Sequence, residues 1–333
     1  MANISTCNIS IIDKLIYVIG LSLLLGACTS EPPKEVNRQI HTDKGAYAAD
    51  LSQNGLWAAV STPQGIRLWD TQARLPKYLW QQRPSQTNQV HIVKISQDNQ
   101  VALTADKQSF AVWNMQTGAN KGYYKIDDAN IAAAQISNKG EYVVLGLLNG
   151  KIIHINLLTG RRIEFLAHKE RISALAMSAN GQYVLSGDYA GKALFWDSRT
   201  AQVVSQINHQ GRVSQLGLDQ KARFAFTANS TNQSWIWDLS TGTKISKLQY
   251  TARQQIFTAV KFSHNGHLLA TGAPNHKVKL WTVNSGELIA SWPFVSDNFA
   301  ATVLDFAFSE DDSYLTAETS YGVMQTWDIQ LIK

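Results

Sequence analysis

Cysteine occurs only at positions 7 and 28, and the long stretch that follows, to residue 333, has none. That stretch therefore holds no structural disulfide, no thiolate metal site and no cysteine nucleophile. It also suits an oxidising compartment, where a free thiol is a liability. Charge is scarce as well. Only 17% of residues are charged, and lysines and arginines are scattered. The densest basic group, Arg161, Arg162, Lys169 and Arg171, is interrupted by Glu164 and Glu170. It reads as solvated surface, with no nucleic-acid partner implied. A phosphate-binding glycine loop and a G-x-S-x-G turn are both missing, and no paired carboxylates stand out. His264 and His267 flank a tight turn without a third ligand nearby, which is a surface turn and not a zinc site.

What is present begins at the N-terminus. Leu15–Ala27 is an uncharged apolar run of 13 residues, short of the roughly 20 that a spanning helix needs. Lys14 precedes it, offset by Asp13, and small residues close it before Cys28. This is the layout of a cleaved export signal. Leu25-Gly26-Ala27-Cys28 resembles the lipobox of bacterial lipoproteins. The resemblance implies cleavage before Cys28 and a diacylglycerol on its thiol; no other cofactor is expected. Residues 1–27 are then a signal peptide, 28–35 a lipidated tether stiffened by two prolines, and 36–333 the folded body. Thr29, where an Asp would imply inner-membrane retention, implies an outer-membrane lipoprotein facing the periplasm, held at a surface by its lipid. Two other readings of the run stay open: an uncleaved membrane anchor, and a buried apolar segment with an incidental Cys.

The body repeats. An aromatic-plus-polar landmark falls at Trp69, Trp113, Ile155, Trp196, Trp237, Trp281 and Trp327, at intervals of about 41–46 residues. Short turns beginning at Ser52, Ser96, Ser137, Ser178, Asp219, Ser263 and Ser309 keep the same period. Asn-Gly at three of them supplies the positive φ of a tight hairpin. Ten tryptophans with so little charge point to a β-rich body. Four short strands per unit with a Trp-Asp signature resemble the WD40 repeat, and the resemblance implies an all-β, seven-bladed propeller. The last unit stops after its Trp strand. Glu35–Thr42 reads like an outer strand, so the N-terminal strand is expected to complete the seventh blade and hide the open edges. Small residues at Ala48, Ala133, Ala174 and Ala259 are expected near the axis. Leu51, Ile95, Ile136, Met177, Leu218, Phe262 and Phe308 are expected between blades, with the repeated Trp residues as core.

WD40 blades often link His, Ser or Thr, Asp and Trp by hydrogen bonds. By position, the His site holds Thr42, Gln86, Asp127, His168, His209, Arg253 and Phe299. The usual Asp site holds Ala190 in blade 4 and Thr231 in blade 5. Two blades keep three members: His168–Ser186–Trp196 and His209–Thr227–Trp237. These rows satisfy buried polar groups. Ser186, His168 and Asp188 also have the composition of a hydrolase triad, but they fall on the structural row of one blade. The chain is therefore expected not to be an enzyme.

Function in a propeller sits on loops and at the channel mouth. The top face, built by loops between blades and turns before each Trp strand, is expected to show Trp80, Arg83, Arg171, Tyr189, Arg212, Arg253, Phe294, Phe299 and Tyr321. Aromatics and arginines dominate interface hot spots. The expected role is a lipid-anchored scaffold that binds envelope proteins or peptides. Envelope or outer-membrane assembly enters by analogy of fold with a propeller lipoprotein of the assembly machine. The alternative is a periplasmic propeller enzyme or small-ligand binder with its site at the channel mouth, where Asp50, Lys94, Gln135, Lys261 and Asp305 lie on axis-side strands. A spacer without a specific partner is a third reading.

Overall fold

The computed structural model describes residues 32–84, 86–250, 256–295 and 301–332. Cys28 and the signal segment lie outside the described residues, as do Arg253 and Phe299 of the expected top face. Seven four-stranded antiparallel sheets form seven blades. Blades 1 to 6 occupy residues 48–80, 92–125, 131–165, 172–208, 213–247 and 259–293. Each blade is a meander in which the first strand is innermost, the third carries the Trp landmark and the fourth is outermost.

Blade 7 takes three strands from residues 303–328 and its outer strand from Glu35–Ile40. The two chain segments run antiparallel, Ile40 opposite Val323 and Glu35 opposite Trp327. Closure by the N-terminal strand is as expected. Among the described residues no helix is long and apolar enough to cross a membrane.

The turn that follows each innermost strand shows why the sequence repeats. Its first side chain accepts a hydrogen bond from the backbone N–H five residues on, in all seven blades: Ser52 from Trp57, Ser96 from Val101, Ser137 from Tyr142, Ser178 from Tyr183, Asp219 from Phe224, Ser263 from Leu268 and Ser309 from Tyr314. The fourth residue of each turn has a positive φ. Glycine fills it in four blades, whereas Asn99, Ala222 and Asp312 fill it in the others. Ala222 is the costly choice, because its Cβ crowds the backbone there. The residue after the landmark has a local role too in four blades: Asp70, Asn114, Asn156 and Asp238 each accept two backbone N–H groups of the following turn.

The core lies between blades. Leu51, Ile95, Ile136, Met177, Phe262 and Phe308 are buried, while Leu218, Trp69 and Trp237 are half-buried. Gly146, Gly187 and Gly272 share one place on the second strand. A Cβ there would stand 2.5 Å from Ile172, 2.6 Å from Val213 and 2.5 Å from Val303, each on the next blade. Blades thus pack at near-backbone distance along this line.

Candidate functional site

Blade 4 carries a complete polar row. Trp196 Nε1 donates to Ser186 Oγ at 3.2 Å, Ser186 Oγ lies 2.7 Å from His168 Nε2, and His168 Nδ1 lies 2.9 Å from Asp188 Oδ2. The expected three-membered row is corrected to four, because Asp188 and not residue 190 supplies the carboxylate. Its other oxygen accepts Lys192 N–H at 2.8 Å. The His168 and Asp188 side chains are 0% exposed. The wiring is that of a Ser-His-Asp triad, but no solvent reaches it, and a Trp N–H occupies the Ser oxygen. Burial pushes the His168 pKa below its ordinary value despite Asp188. A neutral imidazole then accepts from Ser186 and donates to Asp188, which satisfies every member.

Blade 2 holds a row that the position-by-position reading missed. Gln82, not Gln86, takes the histidine's place: Thr104 Oγ1 donates to its Oε1 at 2.7 Å, and its Nε2 donates to Asp106 at 3.3 Å. Trp113 donates to Thr104 at 2.9 Å. A signal was available. Thr104-Ala105-Asp106 and Ser186-Gly187-Asp188 share the spacing of hydroxyl and carboxylate two residues apart. In blade 5 that spacing ends in Asn229, which bonds its own turn at Thr231 and Gln233. There Trp237 still donates to Thr227 at 2.8 Å. The expected His209–Thr227 link is not made, and His209 Nε2 has no hydrogen-bond partner among the described residues.

The expected top-face residues divide. Trp80 is buried, stacked on Trp113 at 5.4 Å, with its Nε1 donating to Gly118 O. Phe294 is buried and stacked on His276 at 5.3 Å. Both are corrected from surface to core. Tyr321 is half-buried against the blade 6–7 core. Arg83 spends its charge on Asp106, at 2.9 Å, over the blade 2 row.

Arg171, Tyr189 and Arg212 do come together. The Arg171 guanidinium carbon lies 3.5 Å from the Tyr189 ring centroid, and that of Arg212 lies 5.4 Å away. The backbone beneath is braced. Tyr189 N–H donates to Arg171 O at 3.1 Å, His209 N–H to Gly191 O at 2.8 Å, and Ser230 N–H to Arg212 O at 3.0 Å. Gly191, at φ +91°, lies so close to the next loop that a Cβ would meet His209 O and Gly211 O at 2.5 Å. The buried row supports the same two loops. His168 is three residues before Arg171, and Asp188 immediately precedes Tyr189.

A central channel with a cavity of about 450 Å³ is lined by the innermost strands. Four of its charges form an arc across blades 6, 7, 1 and 2. Lys94 Nζ lies 2.5 Å from Asp50 Oδ1, and Lys261 Nζ lies 3.9 Å from Asp305 Oδ2. The carboxylates also accept backbone N–H groups of the next blade, Asp50 from Ile95 at 2.7 Å and Asp305 from Leu51 at 3.0 Å. Gln135 donates to Leu175 O at 2.8 Å. Burial works against the Lys94 ammonium, but Asp50 and Asp305 outweigh it and hold its pKa above the ordinary value. Blades 3 to 5 contribute the small residues Ala133, Ala174, Ala176 and Gly217 to the lining, beside Gln135 and Gln215.

The family model for the WD domain, G-beta repeat, matches residues 160–197 and 245–282. The first span ends on Trp196-Asp197 and contains all four members of the complete polar row. No curated protein matches the chain.

Proposed function

Because the chain folds as a seven-bladed propeller with WD40 repeats, we propose that it is a lipid-anchored protein-interaction scaffold of the bacterial cell envelope. The observation that carries this reading is the Arg171–Tyr189–Arg212 group, two exposed arginines against a half-buried tyrosine on braced backbone. Such groups anchor interfaces when they need no reordering on binding. The anchor rests on Leu25-Gly26-Ala27-Cys28 and the outer-membrane address on Thr29. The lipid on Cys28 is the one covalent group the reading requires. Catalysis has no part in it, since the Ser186–His168–Asp188 row is closed to substrate. Outer-membrane assembly is the process we favour for its partners.

Metabolic labelling with a fatty-acid analogue, joined to in-cell crosslinking, tests both halves. The wild type should take up label and co-purify envelope proteins. Cys28→Ser should lose the label and those partners. Continued labelling of Cys28→Ser would sink the anchor, and a wild type without crosslinked partners would sink the scaffold.

One observation favours a second reading. The channel gathers Asp50, Lys94, Gln135, Lys261 and Asp305, and its volume falls within the usual range for small-ligand sites. Lys261, with only a 3.9 Å contact, is the group freest to meet a ligand. Native mass spectrometry should then show a small molecule that is lost in Lys261→Ala. A bare protein mass removes this reading.

A further inference from the structure

Arg171 and Arg212 hold the same place in neighbouring blades, each one residue before the inner strand that begins at Ile172 or Val213. Arg38, Arg83, Arg162, Arg199 and Arg223 each hold a carboxylate. Arg171 and Arg212 hold none among the described residues. A centroid distance of 3.5 Å is a stacking contact, which uses the guanidinium face. It leaves the N–H edge, the edge that forks onto a carboxylate, without a partner. The surrounding loop residues add to the field. Segments 168–173, 189–192 and 209–214 contain Lys169, Arg171, Lys192 and Arg212 against the single acid Glu170. Tyr189 lies between the two arginines as an amphipathic platform. Two residues beyond each arginine stand Ser173 and Ser214, whose hydroxyl oxygens are buried and without a partner. Ser173 lines the channel wall.

We propose that this patch receives an extended acidic segment of a partner protein. Successive Asp or Glu side chains lie across Arg171 and Arg212, and the peptide backbone or an apolar side chain covers Tyr189. The inference rests on the scaffold reading and names the chemistry of its partner. A lysine-only patch would attract any anion by charge alone. Here the forked donors sit on a fixed aromatic, an arrangement that selects planar carboxylates presented one after another. The complete polar row beneath fixes both loops before binding, so little ordering cost falls on the protein side.

Fluorescence anisotropy with the full lipidated protein in detergent tests this, using labelled hexaglutamate, hexaserine and hexalysine peptides. Hexaglutamate should bind best, and its affinity should fall at high salt. Arg171→Glu with Arg212→Glu should weaken it at least about tenfold, with an unchanged thermal melt, since both side chains are exposed. Arg171→Lys with Arg212→Lys should lose part of the affinity while keeping the charge. Equal binding of hexaglutamate and hexaserine, or hexaglutamate binding that survives the double reversal, overturns the proposal. So does sedimentation with phosphatidylglycerol vesicles that exceeds sedimentation with phosphatidylcholine vesicles and is lost in the double reversal, in place of peptide binding. In-cell crosslinking separates the two levels. If Tyr189→Ala loses a partner while hexaglutamate binding ignores the arginines, the scaffold stands and the acidic segment falls.

Discussion

His41→Ala is expected to lower stability by about 1–3 kcal/mol or more, as leaving a buried polar group without its hydrogen-bond partner does. His41 follows the closing strand and lies 2.8 Å from Glu318 of blade 7, with both side chains 0% exposed. Its ring also stacks on Trp69 at 4.7 Å. Glu318 occupies the place that is small in every other blade: Ser61, Ala105, Gly146, Gly187, Ala228 and Gly272. In the three blades with glycine there, the place meets the next blade at near-backbone distance. In blade 7 a full carboxyl group stands there instead, and its one hydrogen-bond partner among the described residues is the imidazole that the N-terminal segment delivers. Glu318 Oε1 has no partner among the described residues, so loss of His41 leaves both oxygens unpaired there. Urea unfolding measures the cost. His41→Ala with Glu318→Ala should be more stable than His41→Ala alone, because the stranded carboxylate is gone. A single-variant loss under about 1 kcal/mol would mean that the pair does not hold the seam.

This contact also marks where sequence reading stops. The blade count, the four-strand unit and closure by Glu35–Ile40 all follow from a period repeated seven times. Each landmark also has a local physical cause, such as the Ser side chain that receives the N–H five residues on. His41 and Glu318 are 277 residues apart and break the repeat at both ends. A reading that aligns blades passes over what is unlike the other blades. Trp80 and Phe294 failed for a different reason. Their residue type fits an interface, but strand alternation decides the side. In Leu288–Pro293 the inward phase runs Ala290, Trp292 and on to Phe294, all buried. In Leu75–Trp80 the exposed residue beside Trp80 is Leu79, 49% accessible. Phase was legible there and outweighs composition. Arg83 needed more: its partner Asp106 belongs to a row whose Gln82 stands where no family position predicts it. Arg171, Tyr189 and Arg212 were found because they fall on turns whose place the repeat fixes.

His168→Ala is expected to cost more than a buried histidine's packing alone, and to cost less in acid than at neutral pH. The substitution leaves the Ser186 O–H without its acceptor, although Oγ still accepts from Trp196, and leaves one oxygen of Asp188 without its donor; a buried polar group without a partner costs about 1–3 kcal/mol. The pH dependence follows from the direction of the shift. Burial holds His168, His154 and His209 below the ordinary histidine pKa of about 6.5. Between those lowered values and about 6.5 the unfolded chain binds more protons than the folded one, so stability rises with pH. The contribution of each neutral histidine is complete above about pH 6.5 and is lost as pH falls through the window beneath it. His168→Ala removes one of the three, so its gap from the wild type should narrow between pH 7.5 and pH 5. Urea midpoints at the two pH values measure that gap, and a constant difference would place the neutral row in doubt. The same variant probes the patch above. Arg171 and Arg212 remain, but the loops carrying Arg171 and Tyr189 lose their common support. Hexaglutamate affinity should therefore fall although no group that meets the peptide has changed. Unaltered affinity in a folded His168→Ala protein would show that the row braces the blade and not the binding surface.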